Sequence, residues 1–121
     1  MGKRILVVDD DPVVGVLVTE FLTPHGYEVT VRQSGGEGLS QLKEALPDIL
    51  IVDLMMPDMT GIDVLRAVRA DPQSAQLPVI MLSANNDQGQ GIQGYDVQPD
   101  RYVEKPFKVP AMLQAIKELG G

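Results

Sequence analysis

The sequence predicts an α/β fold, a single doubly wound parallel sheet of five strands with helices on both faces. Three observations predict it. Short apolar runs alternate with amphipathic stretches along the whole chain, five times over, and that alternation makes right-handed crossovers within one parallel sheet. The run Ile49-Leu50-Ile51-Val52 is apolar at every position, the mark of a strand covered on both sides. Charged residues stand at the C-terminal ends of several runs, the edge where open parallel sheets bind ligands.

Arg4-Ile5-Leu6-Val7-Val8 reads as the first strand. Asp11 is a plausible N-cap and Pro12 suits the first helical position. From Pro12 to Thr23 the residues Val13, Val14, Leu17, Val18, Phe21 and Leu22 recur at helical spacing, and Gly26 closes the helix. Tyr27 to Val31 alternates as a second strand. Ser34 or Gly35 opens a second helix with Leu39, Leu42, Ala45 and Leu46 on one face, stopped by Pro47. Asp48 to Asp53 is the most apolar strand and is placed centrally. After a Met-Pro loop, Ile62, Val64, Leu65 and Val68 build a third helix ending near Asp71-Pro72.

Pro78 to Leu82 is the fourth strand and Arg101 to Glu104 a short fifth. The last helix, Val109 to Leu119, turns Met112, Leu113, Ile116 and Leu119 inward. The fourth helix falls within Asn85 to Val97, a stretch holding Gly89, Gly91 and Gly94. Each glycine costs roughly 1 kcal/mol against Ala in a helix interior. That helix is expected to be short, frayed or mobile.

At 121 residues the chain is long enough for one domain, residues 1–121, with its own core. Its 44% hydrophobic content is too high for disorder. The longest apolar run is far short of a membrane span, and the start carries no signal-peptide pattern. There are no cysteines, which removes disulfides and thiolate metal sites and fits a cytoplasmic location. A net charge of −7, with 10 thinly spread basic residues, argues against direct nucleic-acid contact and favours cations and basic partners.

The ends of the strands carry the chemistry. Asp9 and Asp10 end the first strand, Asp53 ends the third, Ser83 follows the fourth and Lys105 follows the fifth. Topology sends all five to one edge of the sheet. Three carboxylates brought together repel one another unless a cation is present. A hard divalent ion relieves this, and Mg2+ takes one or two carboxylates plus phosphate oxygens. Taken singly, each residue has an ordinary structural reading as a cap, a turn residue or a surface charge; their joint occurrence at successive strand ends is what speaks. Asp11 reads as an N-cap and Asp58, Asp63 and Asp71 as loop or surface charges. The Met55-Met56 pair reads as packing, and His25 as a solvated helix-end residue.

Val7-Val8-Asp9-Asp10, Asp53 followed by Met56-Pro57 and Gly61, Ser83-Ala84 and Lys105-Pro106-Phe107 stand in an order and spacing that resembles one family. It is the receiver domains of bacterial two-component response regulators, with the layout of the chemotaxis regulators. The resemblance covers essentially the whole chain. It implies a flavodoxin-like sheet of order 2-1-3-4-5. It also implies that Asp53 is the phosphoacceptor, and that Asp10 binds Mg2+ directly and Asp9 mainly through water. The backbone carbonyl of Met55 is implied as a further metal ligand, and Ser83 and Lys105 as contacts of the phosphoryl oxygens, with Lys105 paired to Asp53 beforehand. Tyr102 takes the place of the switch aromatic, and the Lys105–Pro106 peptide is expected to be cis.

The implied partner is a sensor histidine kinase or a phosphotransfer protein, and the output is a partner protein or a covalently linked effector domain. The implied state is a monomer, with dimerisation on phosphorylation left open. Such a protein is not a conventional enzyme; it catalyses its own aspartyl phosphorylation and dephosphorylation. Gln98-Pro99 departs from the family's usual Gly-Ala before the fifth strand's Asp100.

Other readings compete. A phosphorylation-independent interaction module on the same fold is expected to lose the acidic pair, the Asp or the Lys, and none is lost. A flavodoxin-type ligand binder needs a Ser/Thr/Gly loop after strand one, where Asp9-Asp10-Asp11-Pro12 stands. An aspartyl phosphatase wants a second Asp two residues past the nucleophile, where Met55 stands.

Overall fold

The computed structural model describes residues 2–84, 97–105 and 108–120. The fourth helix expected within 85–97 lies outside the described residues, apart from Val97, and so does the Lys105–Pro106 peptide. The described strands are β1 (Arg4–Val8), β2 (Glu28–Arg32), β3 (Ile49–Asp53), β4 (Val79–Ala84) and β5 (Arg101–Lys105). The helices are α1 (Pro12–Leu22), α2 (Gly35–Glu44), α3 (Gly61–Ala70) and α4 (Val109–Glu118). The strands pair in parallel in the order β2-β1-β3-β4-β5.

The alternation of side chains along the strands divides the core into two layers. Leu6, Val8, Leu50, Val52, Val79 and Met81 face Leu42 of α2 and Ile62, Leu65 and Val68 of α3. Ile5, Val7, Ile49, Ile51, Ile80 and Leu82 face Val14, Val18 and Leu22 of α1 and Met112 and Ile116 of α4. The central strand is buried at every position, as its unbroken apolar run requires. Fully burying one such side chain is worth roughly 1.5–3 kcal/mol, so these two layers supply the main stabilising term.

Local signals set the ends. Asp11 accepts a hydrogen bond from the Val13 amide at 3.0 Å, with Pro12 at the first helical position. Helix α1 stops at Leu22; a single 3-10 turn, Thr23–His25, follows and closes at Gly26, whose φ of 91° is left-handed and favours a residue without Cβ. Ser34 caps α2 through the Glu37 amide at 3.1 Å.

Several expectations shift. Helix α2 ends at Glu44 and Ala45 is extended, so Leu46 lies past the helix and is exposed: the restriction before Pro47 acts early. Ser83 and Lys105 lie within β4 and β5 rather than after them, because the β4–β5 ladder runs on through the Ser83–Glu104 and Ala84–Lys105 pairs. Strand β2 runs from Glu28 to Arg32, one residue later than expected, and Tyr27 is buried in the α1/α4 layer.

Candidate functional site

The strand register and its two-residue period build this site. Asp9 follows Ile5 and Val7, Asp53 follows Ile49 and Ile51, and Lys105 follows Val103, all on the α1/α4 face. At the C-terminal edge the helices no longer cover the sheet, and polar residues take over where the apolar series ends. Asp9 is buried completely and Asp53 nearly so, while Asp10, one residue along, is exposed. One carboxylate oxygen from each of Asp9, Asp10 and Asp53 lies within 4.8 Å of the other two.

Lys105 Nζ reaches into this group. It stands 2.8 Å from Asp9 Oδ2 and 3.2 Å from Asp53 Oδ1. The Asp9 contact is a charge contact, since Oδ2 accepts no aligned hydrogen bond. Asp9 Oδ1 accepts the Asp11 amide at 2.9 Å, so both oxygens of Asp9 are engaged from within the chain.

Burial pushes the Asp53 carboxyl up to about 6, the Asp9 charge adds to this, and Lys105 opposes it. Burial lowers the Lys105 ammonium, but the Asp9 and Asp53 carboxylates outweigh it and hold its pKa above the ordinary value. The site therefore contains more negative charge than its one described ammonium offsets.

Ser83 is fully buried, and its Oγ has no hydrogen-bond partner among the described residues. By strand period it continues the Val79–Met81 series of the other face, although it shares the edge with Asp53. Met55 leaves the sheet just past Asp53, with its side chain 67% exposed. Tyr102, on the edge strand β5, is 39% exposed and donates its hydroxyl hydrogen to Gln98 Oε1 at 2.9 Å.

The loop after Asp53 is tied at both feet. The Leu54 amide donates to Leu82 O at 2.9 Å and the Gly61 amide to Leu54 O at 2.7 Å. Thr60 and Asp63 form a capping box on α3. A Cβ on Gly61 would stand 2.5 Å from the Asp53 carbonyl oxygen and 2.6 Å from Met81 Sδ. Gly61→Ala is expected to lower unfolding free energy by about 1–3 kcal/mol in urea titration, because backbone must shift at the acceptor itself. A loss under about 0.5 kcal/mol, within the range of ordinary surface substitutions, would show that the loop absorbs the methyl.

Two residues read as plain charges prove structural. Asp63 completes the capping box, and Asp58 accepts the Gly35 and Gly36 amides at 3.1 and 2.9 Å. Thr60, three residues before Asp63, could have signalled the first; no local pattern signals the second, whose partners lie more than twenty residues away.

The donor set is all oxygen and hard, with an exposed carboxylate at its mouth. The oxygens around an octahedral Mg2+ stand about 3–4 Å apart, a spacing these carboxylates reach with small movements. The residues present fit such an ion.

A fold with a doubly wound sheet and this acidic edge is that of a receiver. The profile of the family described as "Response regulator receiver domain" matches residues 5–117, and the chain belongs to that family, the receivers of two-component response regulators. It is therefore a domain of phosphorylation-dependent signalling. It is 38% identical over 117 residues to the DNA-binding response regulator MtrA of Mycolicibacterium smegmatis, covering 97% of this chain and 50% of that protein. It is 36% identical to the phosphate regulon transcriptional regulatory protein PhoB of Rhizobium meliloti, over 98% of this chain and 52% of that one. The chain thus spans about half the length of the curated relatives it matches.

Among solved structures, a putative response regulator from Chloroflexus aurantiacus superposes with a TM-score of 0.91 at 34% identity, covering 98% of both chains. The chemotaxis response regulator CheY4 of Vibrio cholerae gives 0.90 at 30%, over 98% and 99%. The response regulator TrrA of Thermotoga maritima, in complex with Mg2+ and BeF, gives 0.85 at 31%, over 97% and 98%. Among the described residues no helix is long and apolar enough to cross a membrane.

Proposed function

We propose that the chain is a switch in which Asp53 accepts a phosphoryl group from a phosphohistidine, with Mg2+ bound beside it, and is reset by hydrolysis. The donor is a sensor histidine kinase or a phosphotransfer protein in the cytoplasm. The observation that carries this reading is the convergence of Asp9, Asp10 and Asp53 within 4.8 Å, with Lys105 touching two of them.

The chemistry follows from the side chains. Asp53 is largely ionised at pH 7, its pKa being about 6. One of its carboxylate oxygens attacks phosphorus; the new P–O bond forms as the P–N bond to the donor histidine breaks, and the nitrogen keeps the electron pair, the imidazole departing neutral because its other ring nitrogen already carries a proton. The product is an acyl phosphate. Lys105 stands where it can follow charge from the carboxylate onto the phosphoryl oxygens. Asp10 and Asp53 and the Met55 backbone carbonyl would hold Mg2+, and Asp9, both of whose oxygens are engaged, would reach it through water. The ion supplies charge neutralisation between the carboxylates and the incoming phosphoryl group.

The same groups make the switch. The buried Ser83 hydroxyl, without a partner among the described residues, is suited to donate to an arriving phosphoryl oxygen. Its movement draws in the β4 end, and Tyr102 leaves Gln98 and turns inward. The output face that the family resemblance implies, of which β5 and α4 lie among the described residues, changes accordingly and meets an output partner or a linked effector domain. MtrA, named as DNA-binding, and PhoB, named as a transcriptional regulator, belong to the same family. The net charge of −7 disfavours nucleic acid as a direct contact of this chain.

Saturating Mg2+ and beryllofluoride are expected to shift the amide resonances around Asp53, Ser83 and Lys105. Unchanged spectra would replace the switch with a phosphorylation-independent interaction module on the same fold.

A further inference from the structure

We propose that Asp58 is a positioning residue for this site, latching the loop that follows Asp53 onto the first turn of α2. The inference rests on the reading of Asp53 and Mg2+ given above.

The loop is an arch whose feet are the Leu54–Leu82 and Gly61–Leu54 hydrogen bonds. Met56 anchors one limb by burying its side chain against the α2/α3 layer. Past Met56 the chain emerges, and Pro57 and Asp58 are exposed. The far limb is fixed by Asp58, whose Oδ1 and Oδ2 accept the Gly35 and Gly36 amides of α2. Met59 lies under the same turn, since a Cβ on Gly35 would run into its Cγ and Sδ.

The latch spends both carboxylate oxygens on amides that would otherwise face water at a helix N-terminus. A charged acceptor there makes short, strong hydrogen bonds and meets the positive end of the helix dipole. Those bonds hold the Asp58 carboxyl below its usual pKa. Helix α2 has a cap of its own, Ser34, which takes the Glu37 amide at 3.1 Å. Asp58 therefore adds a tie between elements more than twenty residues apart in sequence. Met55, the proposed carbonyl ligand, sits in the near limb of this arch and is bridged to Thr60, beyond Asp58 on the far limb. A ligand carbonyl must be held to a fraction of an ångström for Mg2+, which tolerates little departure from octahedral geometry.

Ser34 supplies the control. Ser34→Ala removes a cap from the same helix and leaves the loop tie intact. Amide hydrogen exchange in metal-free protein and Mg2+ titration followed by amide shifts are measured for the wild type, Asp58→Ala, Asp58→Asn and Ser34→Ala. Asp58→Ala is expected to speed exchange at residues 55–59 and to weaken Mg2+ binding roughly tenfold, the low end of what losing an outer-shell partner does. Phosphorylation from a small phosphodonor at saturating Mg2+ should recover to about the wild-type rate, the signature of lost binding rather than lost chemistry. Asp58→Asn keeps one acceptor and should fall between. Ser34→Ala should match the wild type in both readouts.

Equal Mg2+ affinity in Asp58→Ala and wild type, or an equal loss in Ser34→Ala, overturns the proposal while leaving the switch intact. A wild type that binds neither Mg2+ nor beryllofluoride overturns both, and faster exchange in Asp58→Ala then marks a helix cap alone.

Discussion

Asp53→Asn is expected to abolish acyl-phosphate formation and, with metal chelated at pH 7, to make the protein more stable. The first effect follows because an amide oxygen is a poor nucleophile towards phosphorus. The second follows from electrostatics: burial and the Asp9 charge push the Asp53 carboxyl from 3.8 to about 6 despite Lys105. An acid with a raised folded-state pKa binds more protons folded than unfolded between those two values. Its contribution to stability is full below pH 3.8 and is lost as pH rises through about 6.

The charged Asp53 is thus a liability at pH 7, worth at most about 3 kcal/mol at 1.36 kcal/mol per pKa unit. That figure already includes the Lys105 attraction; the amide NH2 left without a partner in the buried site offsets part of it, which leaves an expected gain of about 1–2 kcal/mol. Urea titrations in EDTA should show that gain at pH 7 and show it closing towards pH 4. Mg2+ should narrow it too, by stabilising the wild type more than the variant. Phosphoryl label retained by Asp53→Asn would move the acceptor to another residue. A variant less stable than wild type at pH 7 would mean that the Lys105 contact outweighs burial.

Lys105→Met carries the second large effect. It leaves a fully buried Asp9 and a nearly buried Asp53 without the ammonium that touches both. Removing one partner of a buried pair is far costlier than the pair's net worth, because the surviving charge stays desolvated. Lys105 itself is a quarter exposed, so the expected loss in EDTA at pH 7 is about 2–4 kcal/mol, towards the lower side of that range. Mg2+ should restore part of it by replacing one cation with another. Phosphorylation from a small donor should slow by roughly a hundredfold, as for other preorganised charge-stabilising donors. A stability loss under about 0.5 kcal/mol would place the contact among solvent-screened pairs.

Much of this was legible before any coordinates. The apolar run Ile49–Val52, the cap at Asp11 and the cap at Ser34 are local signals, and β3, α1 and α2 begin where those signals put them, within a residue. The convergence of Asp9, Asp10, Asp53 and Lys105 was legible too, because a parallel sheet sends every strand end to one edge. The face of Ser83 was not: the sequence groups it with the others at the edge, whereas the structure sets it with Val79 and Met81, away from the Asp53 series.

Two other features differ from what the sequence suggested. Leu46 fits the helical face of α2 by spacing yet stands exposed beyond its end. Asp48 reads as part of a strand, whereas its carboxylate accepts the Arg4 amide at 2.7 Å.

The sequence by itself determined the element order, the two buried faces of the sheet and the set of charged residues at its edge, because period and punctuation are properties of neighbouring residues. Only the tertiary structure decided that Lys105 touches Asp9 as closely as Asp53, that burial raises the Asp53 pKa, and that Asp58 ties the loop to α2. Each of those depends on distance between residues far apart in the chain, and packing alone sets such distances.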